Sequence, residues 1–439
     1  MEPLWVGIIS IVALMILLAI GVHIALALAV VGLVGTVFII GFEPSIWMSM
    51  SFTFALLAKS SFIVIPLFIF MGIMAGSGGM SRNLYEVLRM WVGRFKAGLG
   101  MATVGSCTAF GVCTGSSLVA AAVFTRIAAP EMRRQGYSKR MAYGVCTSAG
   151  SIGMLIPPSI LLVVYGIIAE ESVGRLLIAG IAPGLALTIS FSLGLIVMSI
   201  IRPADFGSAM QEKITWSQRI ISLHRIWPIL LVGVIIIGGM FGGIFNPTEA
   251  GAFGAAVITI LTLFSTGSER WKVLKNGVLE AISINAMVFF ILFGAGVFAR
   301  MLMYSGITTG VLSLVTEAGL SNIAFVILMA FIYLVLGCFM DSISMLSITL
   351  PVIVPVLDAM GIDSIWFAMV AVLAIEVGLI TPPVGLNVYA AKGVAERDVS
   401  LEDIFLGCMP FFFMMLAALA IMIAFPKLST ILPSLMIRH

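Results

Sequence analysis

Apolar runs of about 20 residues, the length that crosses a hydrocarbon core, follow one another from Leu4 to Phe425. Only 10% of the 439 residues are charged and 61% are hydrophobic, with a mean hydropathy of +1.20; soluble domains carry about 25% charged residues. The chain is therefore an integral membrane protein. Its net charge of +3 is small and dispersed, which gives no nucleic-acid footprint. The first run, Leu4–Ile20, has Glu2 as its only flanking charge and no small-x-small cleavage site, so it reads as a retained span rather than a signal peptide. Cys107, Cys113, Cys146, Cys338 and Cys408 lie in apolar segments without a CxxC pair, and His23, His224 and His439 are far apart. That spacing argues against a zinc or haem site and for core-filling thiols.

Hydropathy places spans near 4–20, 22–41, 61–79, 139–169, 174–201, 226–244, 249–266, 279–304, 363–391 and 401–425. Intervals 97–131 and 320–357 do not fit that series, being too long for one straight span and too rich in small polar residues for two. Cytoplasmic loops collect Lys and Arg. Arg82, Arg89, Arg94 and Lys96 precede the first interval, and Arg126, Arg133, Arg134, Lys139 and Arg140 close it. Both flanks are then cytoplasmic, and the interval is a re-entrant hairpin. The second interval falls in the stretch between Arg300 and Lys392, which holds no Lys or Arg, and its flanks come out external. Clusters at 202–225 (Arg202, Lys213, Arg219, Arg225) and 270–275 are cytoplasmic; loops with Glu170 and Glu171, and with Asn246 and Glu249, are external. Both termini are external, which leaves Lys59, Lys427 and Arg438 on the side the charge rule disfavours.

The two halves are related. A shift of 225 carries Pro130, Gly136, Gly153, Pro157 and Pro158 onto Pro355, Gly361, Gly378, Pro382 and Pro383, and a shift of 227 carries GIAP at 180–183 onto GCMP at 407–410. One unit begins outside and the other inside, an inverted-topology repeat of the kind that builds many secondary transporters. The chain divides into N-terminal scaffold helices (1–60) and a first repeat (61–201: arm helix 81–96, hairpin 97–131, broken helix 139–169). A cytoplasmic arm with scaffold helices (202–278) leads to the second repeat (279–425: hairpin 320–357, broken helix 363–391) and a tail (426–439).

Each repeat carries adjacent prolines inside an apolar run, SIGMLIPPSI at 151–160 and EVGLITPPVGLN at 376–387. Proline removes a backbone donor and clashes with the preceding turn, at a cost of about 3 kcal/mol or more within a helix. Pro157 and Pro158 free the carbonyls of Gly153 and Met154, and Pro382 and Pro383 those of Gly378 and Leu379. Free carbonyls at membrane depth have to line a cavity or bind something, and they suit a hard monovalent cation, with half-helix C-termini adding negative potential. The hairpins supply the facing wall, GVCTGSSLVA at 111–120 and GCFMDSISML at 337–346, whose tips start with Gly111 and Gly337. Half-helix N-termini with hydroxyls such as Ser116 and Ser117 suit an anion. The expectation is two pseudo-symmetric cation sites, each between a hairpin tip and a double-proline break.

Charged groups within spans are functional candidates. Arg300 follows FFILFGAGVFA and either serves a site or snorkels from a helix end; Asp341 either serves a site or caps a hairpin helix. Glu376 reads as a structural hydrogen-bond partner without a transport role. Residues 44–61 read as an interfacial segment, and 81–96 and 204–225 as arm helices whose basic residues meet lipid headgroups.

TGSSLVAAAVF, GSIGMLIPPSILLVVYG, GIFNPTEAGAFGA and EVGLITPPVGLNVY together resemble the large membrane subunit of tripartite ATP-independent periplasmic (TRAP) transporters, along essentially the whole chain. The resemblance implies an all-α polytopic, inverted-repeat elevator-type fold of the ion transporter superfamily, with two re-entrant helical hairpins and two broken transmembrane helices. It implies a multi-pass protein of the bacterial inner membrane that imports an organic acid such as sialic acid or a C4-dicarboxylate. By the same resemblance two or more sodium ions are expected to be co-transported, a periplasmic substrate-binding protein to deliver the substrate, and a small four-helix membrane subunit to pack alongside. Carried onto this sequence, the first sodium site is Gly111, Thr114, Gly153, Ile156 and Ser159, and the second is Gly337, Gly378, Thr381 and Val384. Arg300 corresponds to the substrate-facing arginine, with Ser116 and Asp341 nearby, although the two tips are out of register by one residue. No Walker motif is present, so the chain itself does not use ATP, and its serines lack an intramembrane His or Lys partner, against an enzyme. A self-sufficient sodium/carboxylate symporter of the same superfamily is the alternative, and a channel a more distant one.

Overall fold

The structure is a computed structural model that describes residues 2–207 and 214–436; Lys213, Arg438 and part of the expected arm at 204–225 lie outside the described residues. The chain opens with α1 (Pro3–Ala19) and α2 (Ile24–Ile40), each 17 residues long, or about 26 Å at 1.5 Å per residue. Helix α3 (Phe42–Ala58) follows after Gly41 alone, covers most of the segment read as interfacial and leaves Phe42, Trp47, Met50 and Phe54 exposed. After α4 (Val64–Ser77), the expected arm helix is α5 (Met80–Val92).

Interval 97–131 is a pair of packed helices, α6 (Gly98–Thr114) and α7 (Ser117–Arg134), separated by Gly115 and Ser116. Gly115 takes a left-handed φ of 55°, which a residue without Cβ adopts at no steric cost, and Ser116 caps α7 by accepting from the amide of Val119. The first broken span is α8 (Lys139–Gly150), a 3₁₀ turn at Ser151–Met154, an irregular stretch with both prolines, and α9 (Ile160–Ile168). Span 174–201 consists of α10 (Val173–Ala179) and α11 (Ile181–Ile201).

In the middle of the chain the span expected at 226–244 is α13 (Trp227–Gly233), a π-wound stretch Val234–Gly238 and α14 (Gly239–Phe241); α12 (Trp216–Ser222) belongs to the expected arm, and the 57° bend between 216–225 and 227–241 falls at the junction of the two. Pro228 in the first turn of α13 has no amide to continue a helix from the preceding residues. Helix α15 (Pro247–Ser265) starts with a reciprocal cap between Asn246 and Glu249.

Helix α16 (Arg270–Ser305) is one rod of 36 residues, about 54 Å long, and continues the expected span 279–304 well past its predicted start. The short α17 (Ile307–Glu317) was not anticipated. Interval 320–357 forms α18 (Asn322–Gly337) and α19 (Ser342–Met360); the latter runs three residues further than predicted because the stop is Gly361, at φ 67°. The second broken span is α20 (Ser364–Leu379) and α21 (Leu386–Val394), followed by α22 (Leu401–Ala424) and α23 (Lys427–Ser434).

The 225-residue shift extends beyond the motifs. It maps the start of α7 onto that of α19, α8 onto the start of α20, α2 onto α15, and α4 into α16. Helix α2 packs along α16, and α4 along α15, so the two pairs are counterparts. The core gathers on the helices that precede the breaks: every residue from Met141 to Gly150 of α8 and from Ile365 to Leu379 of α20 is buried. Among the described residues six helices are at least 18 residues long and apolar enough to cross a membrane. The other expected spans are shorter helices or broken pieces.

Ion pairs join residues assigned to the same side. Lys59, which the charge rule disfavours outside, lies 3.4 Å from Glu170, which the sequence reading also puts outside. At the other end Arg89 meets Glu131 at 3.0 Å, and Arg225 meets Glu86 at 3.3 Å. There Arg133 clasps Asp398 at 2.9 Å and contacts Glu396, while Lys139 meets Asp398 at 3.0 Å. The hydrogen bonds from Arg133 and then Lys139 hold the Asp398 carboxyl down at about 2.

Candidate ion and substrate sites

Each tip reaches its own break. A Cβ on Gly111 would lie 2.9 Å from Cα of Gly153 and 3.3 Å from Cβ of Ile156, so α6 meets the first break backbone to backbone. In the second unit a Cβ on Gly337 would lie 2.9 Å from Cα of Gly378. The tips are also hydrogen-bonded across. Ile160 donates its amide to the carbonyl of Gly115 at 3.4 Å; Val384 and Gly385 donate to the carbonyl of Cys338 at 3.2 and 3.3 Å. Ile160 and Gly385 are counterparts under the 225-residue shift. Gly111 lies five residues before its cap Ser116 and Gly337 four before its cap Asp341, so the one-residue offset falls within the tips.

The side chains follow from capping. Thr114 donates to the carbonyl of Phe110 at 3.3 Å, Ser159 accepts from the amide of Leu162 at 3.3 Å, and Thr381 donates to the carbonyl of Val377 at 2.6 Å. Each hydroxyl keeps an oxygen lone pair for a further partner. Of the four carbonyls the prolines were expected to free, that of Gly378 is taken by the amide of Thr381 at 2.9 Å. The turn after α20 tightens and recovers one bond, which corrects the simple reading. Those of Gly153, Met154 and Leu379 receive no backbone donor among the described residues. Among those residues, too, no three His, Cys, Asp or Glu side chains gather as a metal cluster. A ligand set of neutral carbonyl and hydroxyl oxygens suits a hard cation rather than a soft transition metal.

The breaks differ in one respect. Leu155 to Ser159 are all buried, whereas Pro382 and Pro383 are exposed. The expectation of two equally buried breaks holds only for the first.

Arg300 lies in the last turns of α16 with its guanidinium 4.9 Å over the ring of Phe52. It lines a cavity of about 700 Å³ together with Lys59, Glu170, Ser347 and Asp358. The Ser347 hydroxyl and Nε of Arg300 are buried there without a hydrogen-bond partner among the described residues. Ser116 and Asp341 are not among the lining residues. Asp341 caps α19, accepting from the amide of Ser344 at 3.0 Å and from the Ser344 hydroxyl. Ser347, one turn further along α19, had no signal in the sequence to separate it from other serines.

A polar centre joins the two broken spans. Glu376 is fully buried and accepts from the Ser117 hydroxyl at 2.9 Å and from Nδ2 of Asn387 at 3.3 Å. Asn387 also donates to Oγ of Ser151 at 3.2 Å. Glu376 makes the hydrogen bonds expected of it, with a partner as far as 259 residues away.

Residues 11–428 match the family described as "Tripartite ATP-independent periplasmic transporter, DctM component". The chain is 33% identical over 406 residues to the C4-dicarboxylate TRAP transporter large permease protein DctM of Pseudomonas aeruginosa, covering 92% of this chain and 93% of that one. It is 32% identical to the ectoine TRAP transporter large permease protein TeaC of Halomonas elongata, over 86% of this chain and 87% of the other. The fold is similar to that of the YdaH transporter of Alcanivorax borkumensis, at a TM-score of 0.63 and 14% identity over 89% and 90% of the two chains. A match to the family over residues 11–428, relatives above 30% identity over most of both chains, and a helical fold with membrane-length apolar helices among the described residues place this chain in the DctM family of TRAP transporter large permeases.

Proposed function

We propose that this permease imports an organic acid anion together with sodium ions, through an inverted-repeat, elevator-type movement in the bacterial inner membrane. The observation that carries the proposal is the paired approach of a tip glycine to a break glycine, so close in both units that a Cβ on the tip glycine would lie 2.9 Å from Cα of the break glycine. Each pair gathers backbone oxygens at a point where the helix is interrupted, and neutral oxygens replace the hydration shell of an alkali cation. The first site is Gly111, Thr114, Gly153, Ile156 and Ser159, and the second Gly337, Gly378, Thr381 and Val384. In this reading α6–α7 and α18–α19 are re-entrant, and the difference in exposure between the breaks reflects a carrier open toward one side.

Arg300 is the cationic partner of the substrate carboxylate, a group shared by the C4-dicarboxylates and ectoine that the relatives' names give. Ser347 on α19 presents an unpartnered hydroxyl to the same cavity. In this reading Ser116 and Asp341 at the tips meet the substrate only when the hairpins and α16 approach. Sodium supplies the driving force, since each cation moving inward gains about 2.3 kcal/mol per 100 mV. A periplasmic binding protein and a small membrane subunit complete the transporter, as the tripartite family description implies.

Reconstitution in proteoliposomes with the small subunit, candidate binding proteins and labelled organic acids tests this. Uptake should require both an inward sodium gradient and the binding protein. Uptake of free substrate without a binding protein would make the chain a self-sufficient symporter, and uptake indifferent to sodium would end the sodium reading.

A further inference from the structure

The polar centre holds a carboxylate where the transport mechanism has not yet used one. Glu376 is fully buried, and its hydrogen-bonding partners, Ser117 and Asn387, are neutral. Among the described residues it makes no ion pair. An ionised group in such surroundings is strongly disfavoured unless a cation compensates it. Its neighbours along the chain supply the clue. Glu376 precedes Gly378 by two residues, and Ser151, which reaches the same Asn387 amide, precedes Gly153 by two. Ser117 directly follows the first tip, and Asn387 follows Val384 by three residues. The 225-residue shift maps Ser151 onto Glu376, so equivalent positions of the two units meet through Asn387, and only one of them is charged.

We propose that Glu376 is the shared counter-charge of the two cation sites, stabilising an ion in either one through space while ligating neither. The inference rests on the sodium coupling proposed above. It makes Glu376 a positioning and electrostatic residue: Ser117 and Asn387 fix the carboxylate between the sites, and each break supplies the direct oxygen ligands. One charge then serves two sites built of neutral groups, which explains why neither repeat carries an acid among its ligands. The hydrogen bonds tie the first tip, the first break and the second break to one group, so loading either site changes the surroundings of the other.

The test uses the full-length chain with its membrane partner. Thermal unfolding in detergent is followed against sodium concentration with potassium replacing sodium, and uptake against sodium is measured in proteoliposomes. Glu376→Gln keeps the size and most hydrogen bonds but removes the charge. It should raise the half-saturating sodium concentration about tenfold in both assays, the order expected for a unit charge within about 10 Å at an effective dielectric constant of about 20. Its unfolding temperature in potassium should equal or exceed the wild type, because a buried uncompensated charge is gone. Glu376→Asp keeps the charge and should hold sodium affinity within a few-fold.

Glu376→Gln with wild-type sodium dependence would overturn the inference. So would Glu376→Asp failing as badly as Glu376→Gln, which would assign the residue a hydrogen-bonding role alone. If Glu376→Gln does not fold, Glu376→Met and Glu376→Asp decide by the same criteria: the neutral variant should lose sodium affinity and the charged one keep it, and a folded Glu376→Met protein with wild-type sodium dependence would overturn the inference. A wild-type protein indifferent to sodium would instead remove the functional reading beneath it.

Discussion

Replacing Gly111 by alanine adds one methyl group where α6 meets the first break. That Cβ would sit 2.9 Å from Cα of Gly153, 3.2 Å from its carbonyl oxygen and 3.3 Å from Cβ of Ile156. Carbon atoms in contact prefer about 3.5–4.0 Å, so the tip and the break have to separate by about 0.6–1.1 Å. The opposing atoms are mainly backbone of a buried turn, which cannot swing aside as a long side chain can. Overpacking of this kind costs about 1–3 kcal/mol. If that energy falls on the assembled cation site, sodium affinity drops about 5- to 150-fold at 1.4 kcal/mol per decade.

Gly337→Ala should behave alike, since its Cβ would meet Gly378 at the same 2.9 Å. Gly76→Ala is the control: it lies in α4 with nothing within 4 Å of a Cβ. The assay is sodium-dependent uptake alongside the sodium-dependent shift of the unfolding temperature. Both site variants should need far more sodium for half effect, and the control should stay within about twofold of wild type, well below one decade of 1.4 kcal/mol. A folded Gly111→Ala protein with unchanged sodium dependence would refute the placement of the first site.

Other consequences are as direct. Arg300→Ala should abolish uptake while leaving the unfolding temperature near wild type, and Arg300→Lys should restore little because an ammonium lacks the planar fork for a carboxylate; normal uptake by the alanine variant would remove Arg300 from the substrate site. Asn246→Ala breaks the reciprocal cap with Glu249 and should cost about 1 kcal/mol of stability, read from chemical unfolding, with sodium affinity unchanged. Asp398 has its carboxyl held at about 2 by Arg133 and Lys139, below an ordinary aspartate near about 3.9. Its stabilising contribution is then complete above about pH 4 and lost as pH falls through about 2. The difference in unfolding temperature between wild type and Asp398→Asn should therefore stay constant from about pH 5 to 8 and shrink below about pH 4; a difference that changes near neutrality would assign the effect to another group.

The sequence carried the repeat and its breaks because proline and glycine act locally. Two proline pairs cannot sit in continuous helices, and a common shift of 225 relates them wherever the chain goes. The tips were harder. Gly111 and Gly337 were read as tip residues, yet Gly111 is still inside α6, and the turn itself is made by Gly115 at a left-handed φ. Spacing alone does not distinguish a glycine required for close approach from one required for a turn. Pairings across the fold left no trace in one sequence: Lys59 with Glu170, Ser117 with Glu376 and Asn387 with Ser151 are separated by 111, 259 and 236 residues. Gly378 shows the limit of counting donors, since its carbonyl finds the amide of Thr381 by tightening to a three-residue turn. Hydropathy places the span at 226–244 but carries no sign of the π-wound stretch Val234–Gly238 inside it, because winding changes no residue's polarity.

The central claim is that two breaks and two tips build two cation sites in one chain. Equilibrium binding of radioactive sodium to the purified permease tests it without any need to know the substrate. The account predicts saturable binding of at least two ions per chain, with one lost on Gly111→Ala and a different one on Gly337→Ala. No saturable binding, or full stoichiometry retained in both folded variants, would contradict it.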